Sequence, residues 1–221
     1  MPDRLAVFDL DGTLVDTAPD LADSVNVVLS AQGIDPVPPP VLQDFIGMGA
    51  KAMISQALAH NGTDPDALDM QAVLDAFLTH YSSRLTKLSR PFPEIVDALD
   101  ALDTAAVPMA VCTNKRERLA RQLLDELGLL GRFVALSGGD TFGVSKPDPE
   151  HLLRTIALAG GTPQGAVFVG DSRIDFETAR AAKVPLVGLS YGYSDVPMEA
   201  LGPDKLCRPG DDIAKAILAL C

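Results

Sequence analysis

Apolar positions in this chain follow two rhythms. Short, nearly unbroken apolar runs occur at Leu5–Phe8, Val107–Cys112, Phe133–Ser137, Ala166–Val169 and Pro185–Leu189. Runs of this length and continuity read as strands buried on both faces. Helical spacing separates these runs, at Ile95–Thr104, Arg116–Leu127, Pro149–Ala159 and Ile174–Ala182, and ends the chain at Asp212–Leu220. Asp148 with Pro149 opens one helix, and Gly128, Gly160 and Gly161 supply stops. Strand and helix in alternation predict an α/β fold with a doubly wound, Rossmann-like parallel sheet covered by helices.

Between residues 16 and 85 the alternation fails. Leu21, Val25, Val28 and Leu29 make one helical face, and Gly33 ends that helix. The Pro36–Pro40 cluster reads as a rigid connector, followed by the loop Ile46-Gly47-Met48-Gly49. Further helices run through Leu58 and from Asp66 to about Ser83. A helical block of this length exceeds an ordinary crossover. It predicts an all-helical cap domain, residues 16–85, inserted after the first strand of a core formed by 1–15 and 86–221. Hinges fall near Asp16–Thr17 and Leu85–Pro91.

Composition narrows the partners. The 221 residues are 47% hydrophobic and 22% charged, the balance of an ordinary globule. A net charge of −12 repels nucleic acid and anionic membranes, so neither is expected as a partner. Any phosphate site must then be a small positive island. Cys112, Cys207 and Cys221 show no disulfide or zinc spacing, and Cys112 reads as packing. With no basic, apolar leader and no apolar run of membrane length, the cytoplasm is the expected location. Monomer and homodimer both remain open. His60, His80 and His151 lie in helical stretches and read as surface or interhelix residues.

The candidate chemistry sits where the apolar runs end. The first run delivers Asp9-Leu10-Asp11-Gly12-Thr13, with two acids one residue apart before a glycine turn. Alternate strand residues point the same way, so both can reach one site, although acids in such turns also bond local amides. The second run ends in Thr113-Asn114-Lys115. Gly138-Gly139-Asp140 and then Ser145-Lys146-Pro147-Asp148 follow the third. The fourth ends in Gly170-Asp171-Ser172-Arg173-Ile174-Asp175. Each set has a structural explanation, such as helix capping by Thr113 or Asp171. Four together suit phosphoryl transfer. Asp9 and Asp171 can give carboxylates to Mg²⁺, with the Asp11 backbone carbonyl as a further oxygen. Lys146 offers a point charge to the phosphate, and the Thr113 hydroxyl and Asn114 amide offer protons. No GxxxxGK[ST] loop, GxSxG elbow or HExxH helix competes.

These sets resemble, in order, the four motifs of the haloacid-dehalogenase-like hydrolase superfamily. Asp9-x-Asp11-Gly-Thr13-Leu-Val-Asp16 matches the first and Thr113-Asn114 the second. Lys146-Pro147 matches the third and Gly170-Asp171-x-x-x-Asp175 the fourth. Within the superfamily the chain is most similar to bacterial phosphoglycolate phosphatases. Ile46-Gly-Met-Gly49, Gly138-Gly-Asp-Thr-Phe142 and Ser190-Tyr-Gly-Tyr193 carry that likeness. One departure is Phe92-Pro93-Glu94, where relatives often have a Pro-Gly pair.

The resemblance implies a Mg²⁺-dependent phosphomonoester hydrolase with Asp9 as nucleophile and Asp11 as acid and base. It implies a metal held by Asp9, Asp11 and Asp171. Lys146, Thr113 and Asn114 would grip the phosphate, and Thr13 and Asp175 would act from behind them. Asp175 would orient Asp171, Lys146 or the metal's waters. The acid at position 11 favours phosphate esters over the dehalogenase and phosphonate-cleaving branches. The expected substrate is 2-phosphoglycolate, with a sugar phosphate, nucleotide or pyrophosphate as alternatives, or a mutase reaction on the same scaffold. Gly47 and Gly49 are candidates for letting backbone amides approach a small anion, with Lys51 or Arg173 pairing its carboxylate.

Overall fold

The computed structural model describes residues 4–221. Six parallel strands form the main sheet: β1 (Leu5–Phe8), β4 (Met109–Cys112), β5 (Phe133–Ser137), β6 (Ala166–Gly170), β7 (Leu186–Leu189) and β8 (Lys205–Cys207). Their order is β5-β4-β1-β6-β7-β8, so β1 lies inside, paired with β4 through Phe8–Val111 and with β6 through Phe8–Val169. All five expected runs are therefore neighbouring strands of one sheet, and their C-terminal ends share an edge. The chain leaves β1 toward β4 on one side and toward β6 on the other. In open α/β sheets that reversal creates the crevice in which ligands bind.

Helices α5 (Pro93–Thr104), α6 (Glu117–Glu126), α7 (Pro149–Leu158), α8 (Arg173–Ala182), the short α9 (Met198–Leu201) and α10 (Ile213–Leu218) cover the faces. Apolar side chains divide accordingly. Phe8, Leu99, Val111 and Ile217 belong to one buried cluster, and Leu5, Val7, Phe168 and Leu152 to the other. Strands β1, β4, β6 and β7 are buried at every position, which is why they read as unbroken apolar runs. The short edge strand β8 carries an exposed lysine and only three residues, too few to show a period.

The helical block consists of α1 (Ala18–Ala31), α2 (Pro39–Gln43), α3 (Ala50–His60) and α4 (Met70–Ser82). The expected face of α1 is buried, and Gly33 follows with φ +73°, a left-handed conformation that favours glycine. Helix α1 packs on α4, whose Val73, Phe77 and Tyr81 point inward. A two-residue ribbon joins block and core, β2 (Val15–Asp16) antiparallel to β3 (Arg90–Pro91). Beside it the buried Asp20 carboxylate accepts from the Leu88 and Ser89 N–H groups and the Ser89 hydroxyl, at 2.9, 2.7 and 2.7 Å. One acid thus ties the outgoing strand connection to the returning one. Among the described residues no helix is long and apolar enough to cross a membrane.

Candidate active site

Asp9 leaves the end of β1 with its N–H still bonded to Val169 O at 2.9 Å, so the sheet itself aims the side chain. Lys146, from the loop between β5 and α7, places Nζ 2.8 Å from Asp9 Oδ1 and 2.7 Å from Asp175 Oδ1. Asp175 is fixed in turn by a capping box at the start of α8: its Oδ2 accepts from the Ser172 N–H and hydroxyl. A Cβ on Gly170 would collide with Asp175, so only glycine allows that approach. Asp171 accepts from the Thr13 hydroxyl (2.6 Å) and the Tyr193 N–H (2.6 Å).

Three buried carboxylates thus face one another, Asp9, Asp171 and Asp175, with oxygens all within 4.8 Å. Burial pushes the Asp9 carboxyl up to about 7; Lys146 opposes the rise, and Asp175 and Asp11 add to it. Burial, and then Asp175 and Asp9, hold Asp171 well above the ordinary carboxylate range. Lys146 stays charged because Asp175 and Asp9 outweigh its burial. One lysine against three acids leaves negative charge uncompensated. An all-oxygen donor set with this charge fits a hard divalent cation such as Mg²⁺. Lys146 and Ser172 hold the two Asp175 oxygens, Thr13 and the Tyr193 N–H hold those of Asp171, and Lys146 holds Asp9 Oδ1, so a cation would take the lone pairs that these bonds leave on Asp9 and Asp171.

A family model described as haloacid dehalogenase-like hydrolase matches residues 6–189, a span containing every one of these side chains except Tyr193. The chain belongs to the haloacid dehalogenase-like hydrolases. Among curated proteins it is similar to the phosphoglycolate phosphatase of Agrobacterium fabrum, at 47% identity over 98% of this chain and 91% of that protein. The phosphoglycolate phosphatase of Mesorhizobium japonicum is 43% identical over 86% of this chain and 84% of its own length. A crystal structure of a predicted phosphoglycolate phosphatase from Haemophilus somnus superposes with a TM-score of 0.88. Its identity is 30%, with 99% of both chains covered.

In this haloacid dehalogenase-like hydrolase the remaining expected residues have different fates. Thr113 is buried at the end of β4 and lines a cavity of about 250 Å³ between the strand ends and the helical block. Gly47, Gly49 and Lys51 line it too, with Lys51 exposed. Asn114 borders the same cavity, but its amide is bonded to protein. It donates to Lys146 O (2.9 Å) and Gly47 O (3.1 Å) and accepts from the Lys146 N–H (2.9 Å). Both amide protons are spent, so Asn114 here is a strut linking the Gly47 loop to the Lys146 loop. Arg173 lies away from the cavity lining, at the surface, paired with Asp195 at 2.7 Å and Glu177 at 3.5 Å. The Asp11 side chain turns from the acid cluster; its Oδ1 accepts from the Thr17 hydroxyl (2.7 Å) and Lys115 Nζ (2.8 Å).

Three contributors were visible in the sequence without a role at the site. Lys115 directly follows Thr113-Asn114, yet nothing in the pattern distinguishes it from a solvated lysine. The Tyr191–Tyr193 turn after β7 floors the site, since a Cβ on Gly192 would strike the Asp171 carboxylate, and the Tyr193 hydroxyl bonds Asp16. His151 is fully buried behind Lys146, its Nε2 3.1 Å from Ser137 Oγ.

Burial, then the Lys146 charge, pulls His151 down to about 4. A histidine whose folded value is depressed contributes stability that is complete above its unfolded value of 6.5 and lost as pH falls toward 4. The loss is on the order of 3 kcal/mol. The raised carboxylates act in the opposite direction, so the check is a difference: urea unfolding of the parent and His151→Gln should converge as pH falls through that window.

Proposed function

We propose that the chain is a Mg²⁺-dependent phosphomonoester hydrolase that converts 2-phosphoglycolate to glycolate and phosphate through an aspartyl-phosphate on Asp9. The observation that carries this reading is the buried Asp9, held between Lys146 and the Asp171 carboxylate at a strand end. The names of the curated relatives support the substrate, and a cavity of about 250 Å³ suits a small ester. Free cysteines at positions 112, 207 and 221 agree with a cytoplasmic setting.

Asp9 attacks phosphorus, so that a P–O bond to its carboxylate forms as the ester P–O bond breaks. Asp11 gives its proton to the leaving alkoxide. It then takes one from the water that cleaves the acyl phosphate, releasing phosphate and restoring Asp9. Thr17 and Lys115 clamp one Asp11 oxygen, which leaves the other to exchange that proton. Lys146 aligns Asp9 and offsets charge on the transferring group, while the Thr113 hydroxyl has a proton to donate to it. Mg²⁺ held by Asp9 and Asp171, with the Asp11 carbonyl, would screen carboxylate against phosphate. Helices α1 to α4 serve as a cap, residues 16–85, that excludes water during the reaction.

The test is phosphate release from 2-phosphoglycolate beside hexose phosphates, pyrophosphate and nucleotides, each with a chelator control. The expected result is a lead of tenfold or more in kcat/KM for 2-phosphoglycolate, about 1.4 kcal/mol of discrimination. Chelation should abolish release, and Mg²⁺ alone should raise Tm by relieving the carboxylate repulsion. Metal-dependent release led by another ester would overturn the substrate and keep the mechanism.

A further inference from the structure

Two buried polar groups face the cavity on the side of Asp11, away from Lys146. The first is Tyr81 of α4, 1% exposed and lining the cavity, whose hydroxyl lies beside the Lys115 ammonium and has no protein acceptor for its own proton. Buried hydroxyls ordinarily find an acceptor, and a proton left free beside a cavity points to a ligand atom. Burial pushes this hydroxyl up to about 12, so at neutral pH it is a proton donor. Its ring is held rigidly, stacked on Phe77 with centroids 5.7 Å apart and planes at 17°.

The second is Lys115. Among the described residues it is the one buried cation lining this cavity; Lys51 and Arg116 line it but are exposed, and Lys146 borders the adjoining cleft. Its ammonium sits 4.8 Å from the Tyr81 ring centroid and gives one proton to Asp11 at 2.8 Å. An ammonium carries three protons, so Lys115 retains donors after serving Asp11. Burial works against its charge, but Asp11 and Tyr81 together outweigh it.

We propose that the Tyr81 hydroxyl and the Lys115 ammonium form the subsite for a carboxylate on the leaving group, selecting phosphate esters of small hydroxy acids. The inference rests on the phosphatase reading above and deepens it, because it says where selectivity arises. The acid–base group lies next to the leaving oxygen, and a carboxylate one carbon beyond that oxygen falls beside Asp11's own partner. A carboxylate there would accept the Tyr81 hydroxyl proton and take a charge-assisted bond from Lys115. A neutral leaving group would leave both donors desolvated and unpaired. Sites built to hydrogen-bond a group discriminate strongly against analogues lacking it. Arg173, already paired with Asp195 and Glu177, is not needed for this recognition.

The test compares 2-phosphoglycolate with 2-hydroxyethyl phosphate, in which a hydroxymethyl group replaces the carboxylate. The parent and Tyr81→Phe are assayed on both esters, with glycolate as product inhibitor of each protein. Tyr81→Phe keeps the stacked ring and removes only the hydroxyl. The expected result is a fall of about tenfold in the selectivity ratio and a rise of about fivefold or more in the glycolate inhibition constant. Lys115→Met should lower the ratio at least as far, whatever it does to the absolute rates. A ratio within twofold of the parent in both variants overturns the inference and leaves the phosphatase reading intact. No metal-dependent release from either ester by the parent overturns that reading, and the inference with it.

Discussion

Asp9→Asn is expected to abolish turnover and, without divalent metal, to make the chain more stable than the parent. An amide cannot form the acyl phosphate, so kcat should fall by about 10⁴-fold or more. The stability gain follows from the electrostatics of the buried site. Burial raises the Asp9 carboxyl from 3.8 to about 7, with Asp175 adding to the rise against Lys146, so ionising Asp9 works against the fold. For a carboxylate raised in the folded state, stability is greatest below the unfolded value and is lost as pH rises to the folded one. Asparagine has no charge to desolvate, and Lys146 keeps Asp175 as a partner at 2.7 Å. The gap between variant and parent should therefore open between about pH 4 and pH 7 and level off above, reaching on the order of 4 kcal/mol. Urea unfolding in a chelator, across that range, measures it. Parent-like turnover in Asp9→Asn would sink the nucleophile assignment. A stability gap independent of pH would sink the electrostatic one.

Lys146→Met is expected to be the most destabilising single change at the site. Methionine fills a similar volume, so packing is nearly conserved and the charge is what changes. Lys146 is 4% exposed and bridges Asp9 and Asp175 at 2.8 and 2.7 Å. Removing it leaves three buried carboxylates without a counter-charge, and breaking a buried ion pair from one side costs about 3–5 kcal/mol. Turnover should fall to background, because Asp9 loses its alignment and the transferring group its cation. Millimolar Mg²⁺ should restore part of the lost stability without restoring turnover. Urea midpoints with and without Mg²⁺ decide the point: an unchanged midpoint in chelator would show that Lys146 is dispensable to the charge balance.

The parts of the molecule legible in the sequence are those set by local physics. Strands buried on both faces must be apolar throughout, so β1, β4, β6 and β7 stood out, and the edge strand β5 kept an apolar run although Val134 is exposed. Residues at their ends could be assembled into one site because parallel strands bring their C-terminal ends to one edge. The helical block was legible because four helices share the 3.6-residue period and no strand interrupts them. The ribbon of Val15–Asp16 with Arg90–Pro91 was not, since two residues on each side show no period. Buried Asp20 likewise looks like any acid in the first turn of a helix until its partners at Leu88 and Ser89 are known. His151 illustrates the same limit. A helical histidine is ordinarily exposed, and only the β5–α7 packing brings it against Ser137.

Order of strands and helices, the acids at the strand ends and the excess of negative charge follow from the amino-acid sequence alone, because each depends on neighbours a few residues away. Pairing was decided by the tertiary structure. Asp175 rather than Asp11 completes the acid cluster, and Lys115 rather than Arg173 brings a buried positive charge to the cavity. Asn114 spends its amide on two loops, and the Tyr81 hydroxyl reaches the cavity from a helix more than thirty residues before Lys115. Spacing along a chain shows which side chains leave one element on the same face. It carries no record of which distant cation an acid will meet, because long-range charge pairing depends on how separate elements pack and how much water they exclude.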